Sequence, residues 1–319
     1  MHKRPYRRIG QWLELLPADI AAEAGKDSEP EAGSHPHLVR QWLLACSLFP
    51  AKWINRLFSV GGIKWEGERI ALLAFPPADP VKDPLYRKAQ MNSSSVEEPE
   101  VLYEDDFCLV LNKPAGMPVH ESYPGQIGTL DEAAARLQLR KGDPLTVRHI
   151  HRLDDDTSGP VLYAKNDLAQ WILDEAMRDK RIDRRYLAVV EGHVKKASGT
   201  INAPIGKDRH HSSKRRVTPG GELSVTHYDK VRTFANATLV RLKLETGRTH
   251  QIRVHMSHLG HPLLGDKLYG GDTRLLPHQA LHGERILFPH PWTGETVEAA
   301  APQPDWLIGL LDKLGGRTN

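Results

Sequence analysis

His151-Arg152-Leu153-Asp154-Asp155-Asp156-Thr157-Ser158-Gly159 runs into the apolar stretch Val161-Leu162-Tyr163-Ala164, and the reading of this junction decides the rest of the chain. Three consecutive carboxylates behind an arginine are unusual for a plain loop. Asp156 with Thr157, Ser158 and Gly159 has the composition of a turn. Aspartate is seldom buried unpaired, so an aspartate in such a loop is ordinarily a surface or capping residue. Asp154, flanked by Leu153 and Arg152, is the one placed to point a carboxylate into a pocket. Val161 to Ala164 reads as a strand. Pro160 cannot donate to a ladder, so that strand is expected to begin at Val161 or to lie at an edge.

Outward from this junction the pattern alternates. Phe107 to Leu111 and Tyr186 to Val190 read as strands. Thr129-x-x-Glu132 is a capping box for a helix over Asp131 to Leu139. Asn166 can cap a helix with Leu168, Trp171, Ile172 and Ala176 on its inner face. Gln251-Ile252-Arg253-Val254-His255 alternates polar and apolar residues, which suits a strand with one buried face. Further upstream, Pro76 to about Glu100 is rich in Pro, Asp, Ser and Glu, including Asn92-Ser93-Ser94-Ser95, and marks a linker at 81–100. Residues 1–80 read as a separate unit. Gln11 to Leu15 is strand-like, Gly25 to Pro36 is a loop, Leu38 to Leu48 is helical, and Pro50 opens a second helix with Trp53, Ile54, Leu57 and Phe58 on one face. Gly61-Gly62 ends that helix, and Ile63-Lys64-Trp65 with the turn Glu66-Gly67 starts a hairpin.

Bulk properties narrow the class. A chain of 319 residues, 39% hydrophobic and 26% charged, is expected to be globular and to bury a sizeable core. Cys46 and Cys108 are isolated, which fits a reducing compartment. Neither a secretory leader nor an apolar segment long enough to span a bilayer is visible, so the expected location is cytoplasmic, with no membrane partner. The net charge of +3 is small, but it is unevenly spread. Lys207, Arg209, Lys214, Arg215 and Arg216 cluster with two histidines and one acid, Asp208. A second run holds Arg136, Arg140, Lys141, Arg148 and Arg152. Each is either a solvated surface or a phosphate-contacting patch.

At this point the sequence resembles a known family. His-Arg-Leu-Asp-x-x-Thr-Ser-Gly is similar to the signature of RluA-type pseudouridine synthases, and four other segments agree in order. These are Lys113 to His120, Tyr186 to Gly192, Leu244 to Tyr269 (with Gly247-Arg248-Thr249-His250-Gln251-Ile252-Arg253-Val254-His255 and Gly265-Asp266-Lys267-Leu268-Tyr269-Gly270), and Gln279-Ala280-Leu281-His282 with His290-Pro291 and Ala301-Pro302. The match covers about two-thirds of the chain. The resemblance implies an α+β catalytic domain at 101–319 with a mixed, largely antiparallel central sheet, preceded by a small N-terminal module that resembles an S-four RNA-binding unit. It implies an isomerase that detaches uracil from ribose through nitrogen and rejoins it through carbon. Asp154 would be the catalytic carboxylate, kept ionised by Arg253, with Tyr186 stacking on the flipped base. His151, Arg152, Arg248 and the Lys207, Arg209, Lys214, Arg215 and Arg216 loop would meet RNA. The implied partner is RNA, ribosomal ahead of transfer RNA, and the expected state is a monomer. No cofactor or metal is expected.

Three features cut against competing readings. His250, His255, His258 and His261, or His149 with His151, raise a metal-dependent hydrolase. Gly260 and Pro262 break the necessary helix, however, and no carboxylate lies among these histidines. Neither a phosphate-cradling Walker loop nor a dinucleotide fingerprint occurs. A non-catalytic RNA-binding homologue would have no need of Asp154, Tyr186 and Arg253 together. Two departures from the family pattern, Pro160 and the acidic Asp155, bear on substrate and on strength of binding.

Overall fold

The computed structural model describes residues 5–91 and 98–315. It opens with strands β1 (Arg7–Ile9) and β2 (Trp12–Leu15), three helices, α1 (Pro17–Ala24), α2 (Pro36–Cys46) and α3 (Ala51–Ser59), and the hairpin β3 (Ile63–Glu66) with β4 (Arg69–Leu73). These four strands make one antiparallel sheet in the order β1-β2-β4-β3. Pro50 is the N-cap of α3, and Trp53, Ile54 and Leu57 are buried on its inner face. Helix α4 (Pro84–Met91) follows, inside the stretch expected to be a linker. Composition there conceals an amphipathic turn pair: Tyr86 and Ala89 are buried, and the Tyr86 hydroxyl donates to the Leu145 carbonyl. Asn92 to Ser95 of that stretch lie outside the described residues.

The larger part runs β5 (Glu100–Glu104), β6 (Cys108–Lys113), α5 (Leu130–Arg140), β7 (Arg148–His149), β8 (Gly159–Ala164) and α6 (Asp167–Arg178). It continues with β9 (Asp183–Glu191), β10 (Ser198–Asn202), β11 (Ile205–Lys207), β12 (Arg215–Val217), β13 (Val225–Thr233), β14 (Ala237–Leu244) and α7 (Gln251–His258). The last elements are β15 (Leu281–Pro289), β16 (Thr296–Ala300) and α8 (Asp305–Gly315). One sheet has the order β5-β6-β8-β7 and the other β10-β13-β14-β9-β15-β16, while β11 and β12 form a separate hairpin. The strand pairings are antiparallel. The two sheets meet at a parallel bridge between Ser158 and His282, where the Gly283 N–H donates to the Ser158 carbonyl at 2.7 Å. Gly159 is required there. Its φ is +125°, and a Cβ would lie 2.5 Å from the Gly283 oxygen.

Local chemistry accounts for several elements and corrects others. The Thr129 hydroxyl accepts the Glu132 N–H and caps α5, and the Asn166 side chain accepts the Ala169 N–H and caps α6. On α6 the buried face is Leu168, Ala169, Leu173 and Ala176, whereas Trp171 points outward beneath the Lys52 ammonium. Pro160 sits within β8, opposite Asn112 of β6. The neighbour on the other side, β7, ends after two residues, so the missing N–H leaves no ladder bond unmade. The segment expected as a strand around Arg253 is helix α7; the alternation read over five residues was too short to separate the two periods.

Residues 1–80 do not pack as an isolated unit. A single apolar cluster joins Leu13, Trp53, Ile54 and Phe75 to Phe107, Leu162, Phe288 and Trp292. The Phe107 and Trp292 rings stack with centroids 5.4 Å apart. At the rim, Tyr6 donates to Asp106 at 2.8 Å, and Arg8 bridges Asp106 (2.9 Å) and Asp143 (2.6 Å).

Candidate active site

The Asp154 loop lies between the two sheets and lines a cleft of about 410 Å³ together with Arg152, Gly247, Arg248, His250, Arg253 and Gln279. Behind it a smaller recess of about 70 Å³ is lined by Leu153, Arg184, Tyr186, Leu244, Ile252 and Leu281. Asp154 is shared by both spaces and is 26% exposed.

Asp154 Oδ2 accepts from Arg253 Nη1 at 3.0 Å, and among the described residues no protein donor reaches Oδ1. Arg253 turns its other edge to Asp266, donating from Nε at 2.7 Å and from Nη2 at 2.9 Å. This bidentate fork fixes the plane of the guanidinium and turns Nη1 toward Asp154. Burial opposes the charge on Arg253. The hydrogen bonds and charges of Asp266 and Asp154 outweigh it and hold the guanidinium pKa above its usual value.

Helix α7 begins where it does because Gln251 staples it to the sheet. Its Nε2 donates to the Val225 carbonyl and the Thr226 hydroxyl, each at 3.0 Å, and its Oε1 accepts from Thr246 and from the Arg248 N–H. The residue before it, His250, has φ 57°, the left-handed region that few non-glycine residues adopt. Two turns of chain later Asp266 is 1% exposed, brought there by Gly265, where a Cβ would lie 1.9 Å from the His278 oxygen.

The loop itself is held from below by Lys113 at the end of β6. Its side chain is fully buried, and its ammonium donates to three carbonyls: Pro114 at 3.0 Å, Met117 at 2.5 Å and Asp155 at 2.6 Å. Burial pushes its pKa down to about 8, against the pull of Asp155, Asp156 and Asp154. Tyr186, on β9, is 5% exposed. Burial, with a smaller contribution from Asp154, raises its phenol pKa against the lowering effect of Arg184, so it remains protonated.

The sequence expectations divide here. Asp154, Tyr186, Arg253, Arg152 and Arg248 come together around the cleft and recess. Lys207, Arg209, Lys214, Arg215 and Arg216 lie on and around the β11–β12 hairpin. His151 does not face RNA: it is buried, and its Nε2 accepts the Leu162 N–H at 3.2 Å. Burial, with the charges of Arg184 and His149, drives its pKa down to about 3, so it is a neutral core imidazole. The second basic run does not gather at the cleft. Arg136 is buried, Arg140 pairs with Glu98, Lys141 with Glu104 and Arg148 with Asp167, leaving only Arg152 at the cleft. His255 is committed to Thr226 and the Ala203 carbonyl. Among the described residues Asp105, Cys108 and His290 are close enough to share an ion. They already form a closed corner, however. His290 Nδ1 accepts the Trp292 and Thr293 N–H groups, and Asp105 accepts from His290 Nε2, Tyr103 and two backbone N–H groups. Sequence reasoning missed the roles of Lys113, Gln251 and Asp266, although the Gly265-Asp266 pair, a tight turn followed by a carboxylate between apolar segments, was a signal for the last.

The chain is similar to proteins of one kind. The family model for RNA pseudouridylate synthase matches residues 107–258. The uncharacterized RNA pseudouridine synthase YhcT of Bacillus subtilis is 49% identical over 209 residues, 65% of this chain and 69% of that protein. Ribosomal large subunit pseudouridine synthase D of Vibrio parahaemolyticus is 40% identical over 232 residues, 67% of this chain and 70% of that one. The solved human RNA pseudouridylate synthase domain containing 1 superposes with a TM-score of 0.55 at 28% identity, covering 66% of this chain and 86% of its own. A largely antiparallel fold of this kind, and identity with one relative at nearly half of 209 aligned positions, place the chain in the RluA-type RNA pseudouridine synthase family, whose members are isomerases.

Proposed function

We propose that this protein converts a uridine in ribosomal RNA to pseudouridine, with Asp154 as the catalytic carboxylate. The observation that carries this reading is the Asp154–Arg253–Asp266 chain of charge at the mouth of a recess floored by Tyr186. Overall, the bond between N1 and C1′ breaks, a bond between C5 and C1′ forms, the C5 hydrogen leaves as a proton, and N1 gains one. No electron is gained or lost, so no redox partner is called for. Both chemistries open to a carboxylate here, attack on the nucleotide and removal of a sugar proton, require it ionised. Arg253 donates to Oδ2, leaving Oδ1 for the nucleotide.

A base stacked within a duplex cannot present its reacting atoms to Asp154, so on this reading the target nucleotide turns out of its stack toward the recess. There Tyr186 supplies a ring for stacking and a protonated hydroxyl. Arg152 and Arg248 flank the entrance, and the β11–β12 hairpin carries cations for the flanking phosphates. Ribosomal RNA is favoured as substrate because the Vibrio relative carries that substrate in its name.

The test is to incubate the protein and its Asp154→Ala variant with cellular RNA lacking pseudouridine and to map new sites by carbodiimide treatment and primer extension. Sites in ribosomal RNA made only by the unaltered protein support the proposal. Sites confined to transfer RNA would correct the substrate, and RNA binding with no sites anywhere would point to a non-catalytic homologue. Equal activity in the variant would remove Asp154 from its role.

A further inference from the structure

Tyr269 stands where the basic hairpin meets the catalytic charge pair. It closes a short 3-10 turn (Lys267–Tyr269) and is 7% exposed. Its hydroxyl accepts the backbone N–H of Arg215, on β12, at 2.9 Å, and lies 2.9 Å from Nδ1 of His250. The Lys214 ammonium sits 5.5 Å from the centre of its ring and the Arg253 guanidinium 5.1 Å from it. The other nitrogen of His250, Nε2, is 3.9 Å from Asp154 Oδ2.

One proton decides what this arrangement does. The phenol oxygen already accepts from Arg215, and the partner for its own proton is His250 Nδ1. An imidazole that accepts at Nδ1 carries its hydrogen on Nε2, the nitrogen turned toward Asp154. Burial pushes the pKa of His250 down, with Arg253 and Arg215 adding to that and Asp154 and Asp266 opposing it. The neutral ring with a single, directed N–H is the result. The left-handed backbone at His250 is a local strain that the surrounding contacts hold in place. At 3.9 Å the N–H is beyond hydrogen-bond reach of the carboxylate, so the contact is unmade in this structure and forms only if the two groups close by about 1 Å.

We propose that Tyr269 is a positioning residue: it fixes the Nε2–H tautomer and the seat of His250, and so transmits the docking of RNA on the β11–β12 hairpin to the Asp154 carboxylate. The proposal rests on the reading of Asp154 as the catalytic carboxylate. With RNA docked, His250 closes on the Oδ2 side of Asp154 as a second donor beside Arg253, steering the free Oδ1 toward the nucleotide.

The measurement is single-turnover tritium release from ribosomal and transfer RNA transcripts labelled with 5-tritiated uridine, with RNA affinity and thermal unfolding measured alongside. Tyr269→Phe keeps the ring beneath Lys214 and Arg253 and removes only the hydroxyl. It is expected to slow release about tenfold at saturating RNA, the scale of one charge-assisted hydrogen bond, with affinity nearly unchanged. His250→Ala should slow release by a similar factor, and the double variant no further. His250→Gln places an amide N–H near the Nε2 position without needing Tyr269. It should retain most of the rate and make the protein indifferent to Tyr269→Phe. Losses that multiply to about a hundredfold in the Tyr269→Phe/His250→Ala double variant would overturn the proposal, because independent damage adds in free energy. A normal rate in Tyr269→Phe, with Asp154→Ala inactive, would overturn it while leaving the catalytic carboxylate in place. Tritium release by Asp154→Ala would instead show that the underlying reading of Asp154 was wrong.

Discussion

Replacing Lys113 with methionine removes the buried ammonium while keeping most of the stem. The Asp155 carbonyl would retain one donor, the Gly116 N–H at 3.0 Å, but the Pro114 and Met117 carbonyls would lose the Lys113 ammonium. Each orphaned buried carbonyl costs roughly 1–3 kcal/mol, partly offset by no longer burying a charge. We expect a net loss of about 2–4 kcal/mol near neutral pH, read as a fall of roughly 5–10 °C in Tm. Activity should fall too, because Asp155 is the residue next to Asp154. The pH dependence is the sharper test. In the folded protein Lys113 releases its proton near pH 8, and in the unfolded chain near 10.5. Between those values the unfolded state binds more protons, so this residue's contribution to stability rises with pH, by up to about 3 kcal/mol. Below pH 8 both states are protonated and its full burial cost is felt. Urea unfolding of both proteins from pH 7 to 10.5 should therefore show the gap between them widening. Other titrating groups cancel in the difference. A gap that narrows would mean the three carbonyls hold the ammonium more strongly than burial opposes it, and the reasoning would fail.

Three further outcomes follow from the same contacts. Asp266→Asn keeps the shape but loses the charge-assisted fork on Arg253; it should lower the single-turnover rate by roughly a hundredfold and stability by about 3 kcal/mol, and a rate within threefold of the unaltered protein would refute the positioning role. His151 is held neutral down to about pH 3, so the unfolded chain takes up a proton below its ordinary pKa that the fold refuses. Stability is whole above about pH 6.5 and drains as pH falls toward 3, and His151→Gln should flatten that slope by about one proton in acid denaturation. Changing Lys207, Arg209 and Lys214 together to glutamine should weaken RNA binding and reduce the slope of log affinity against log salt by about 2–3, as measured by filter binding; an unchanged slope would place the phosphates elsewhere.

What the sequence disclosed followed the range of each interaction. The Asp154 loop and the caps at Thr129 and Asn166 were legible because their signals are local: a turn composition and a side chain bonding an N–H three residues on, whereas Tyr186, the fourth residue of β9, was singled out by the family resemblance alone. Helix α7 was misread because it has eight residues and six of them are buried, Arg253 and His255 among them, which erases the amphipathic period. His151 sat in a motif of polar residues and gave no local sign that its ring would turn under β8. The arginines and lysines around 136–148 looked like a patch because sequence counts charges without their partners. Glu98, Glu104 and Asp167, which engage three of them, are up to 42 residues distant. Lys113 is the extreme case, since a charged residue buried in full is rare enough that no composition rule anticipates it.

The positions that were hardest to foresee are those that make the Asp154 loop rigid from three directions. Lys113 grips its backbone at Asp155 from the end of β6. Arg253, itself clamped by Asp266, grips its carboxylate from α7. At its far end the chain enters β8 through the Ser158–His282 bridge, where the Ser158 hydroxyl lies 2.9 Å from His282 Nδ1 and two glycines, Gly159 and Gly283, meet backbone to backbone. These anchors come from both sheets and from the helix between them, so the loop is a product of their mutual placement and not of its own turn chemistry. A carboxylate set this way pays little reorganisation when charge develops beside it, which is what electrostatic catalysis demands of its groups. It also means that Asp154 should tolerate a change in the neighbouring side chain of Asp155, whose carbonyl is what Lys113 and Gly116 hold, far better than changes at Lys113, Asp266 or Gly159, each remote in sequence or silent in chemistry.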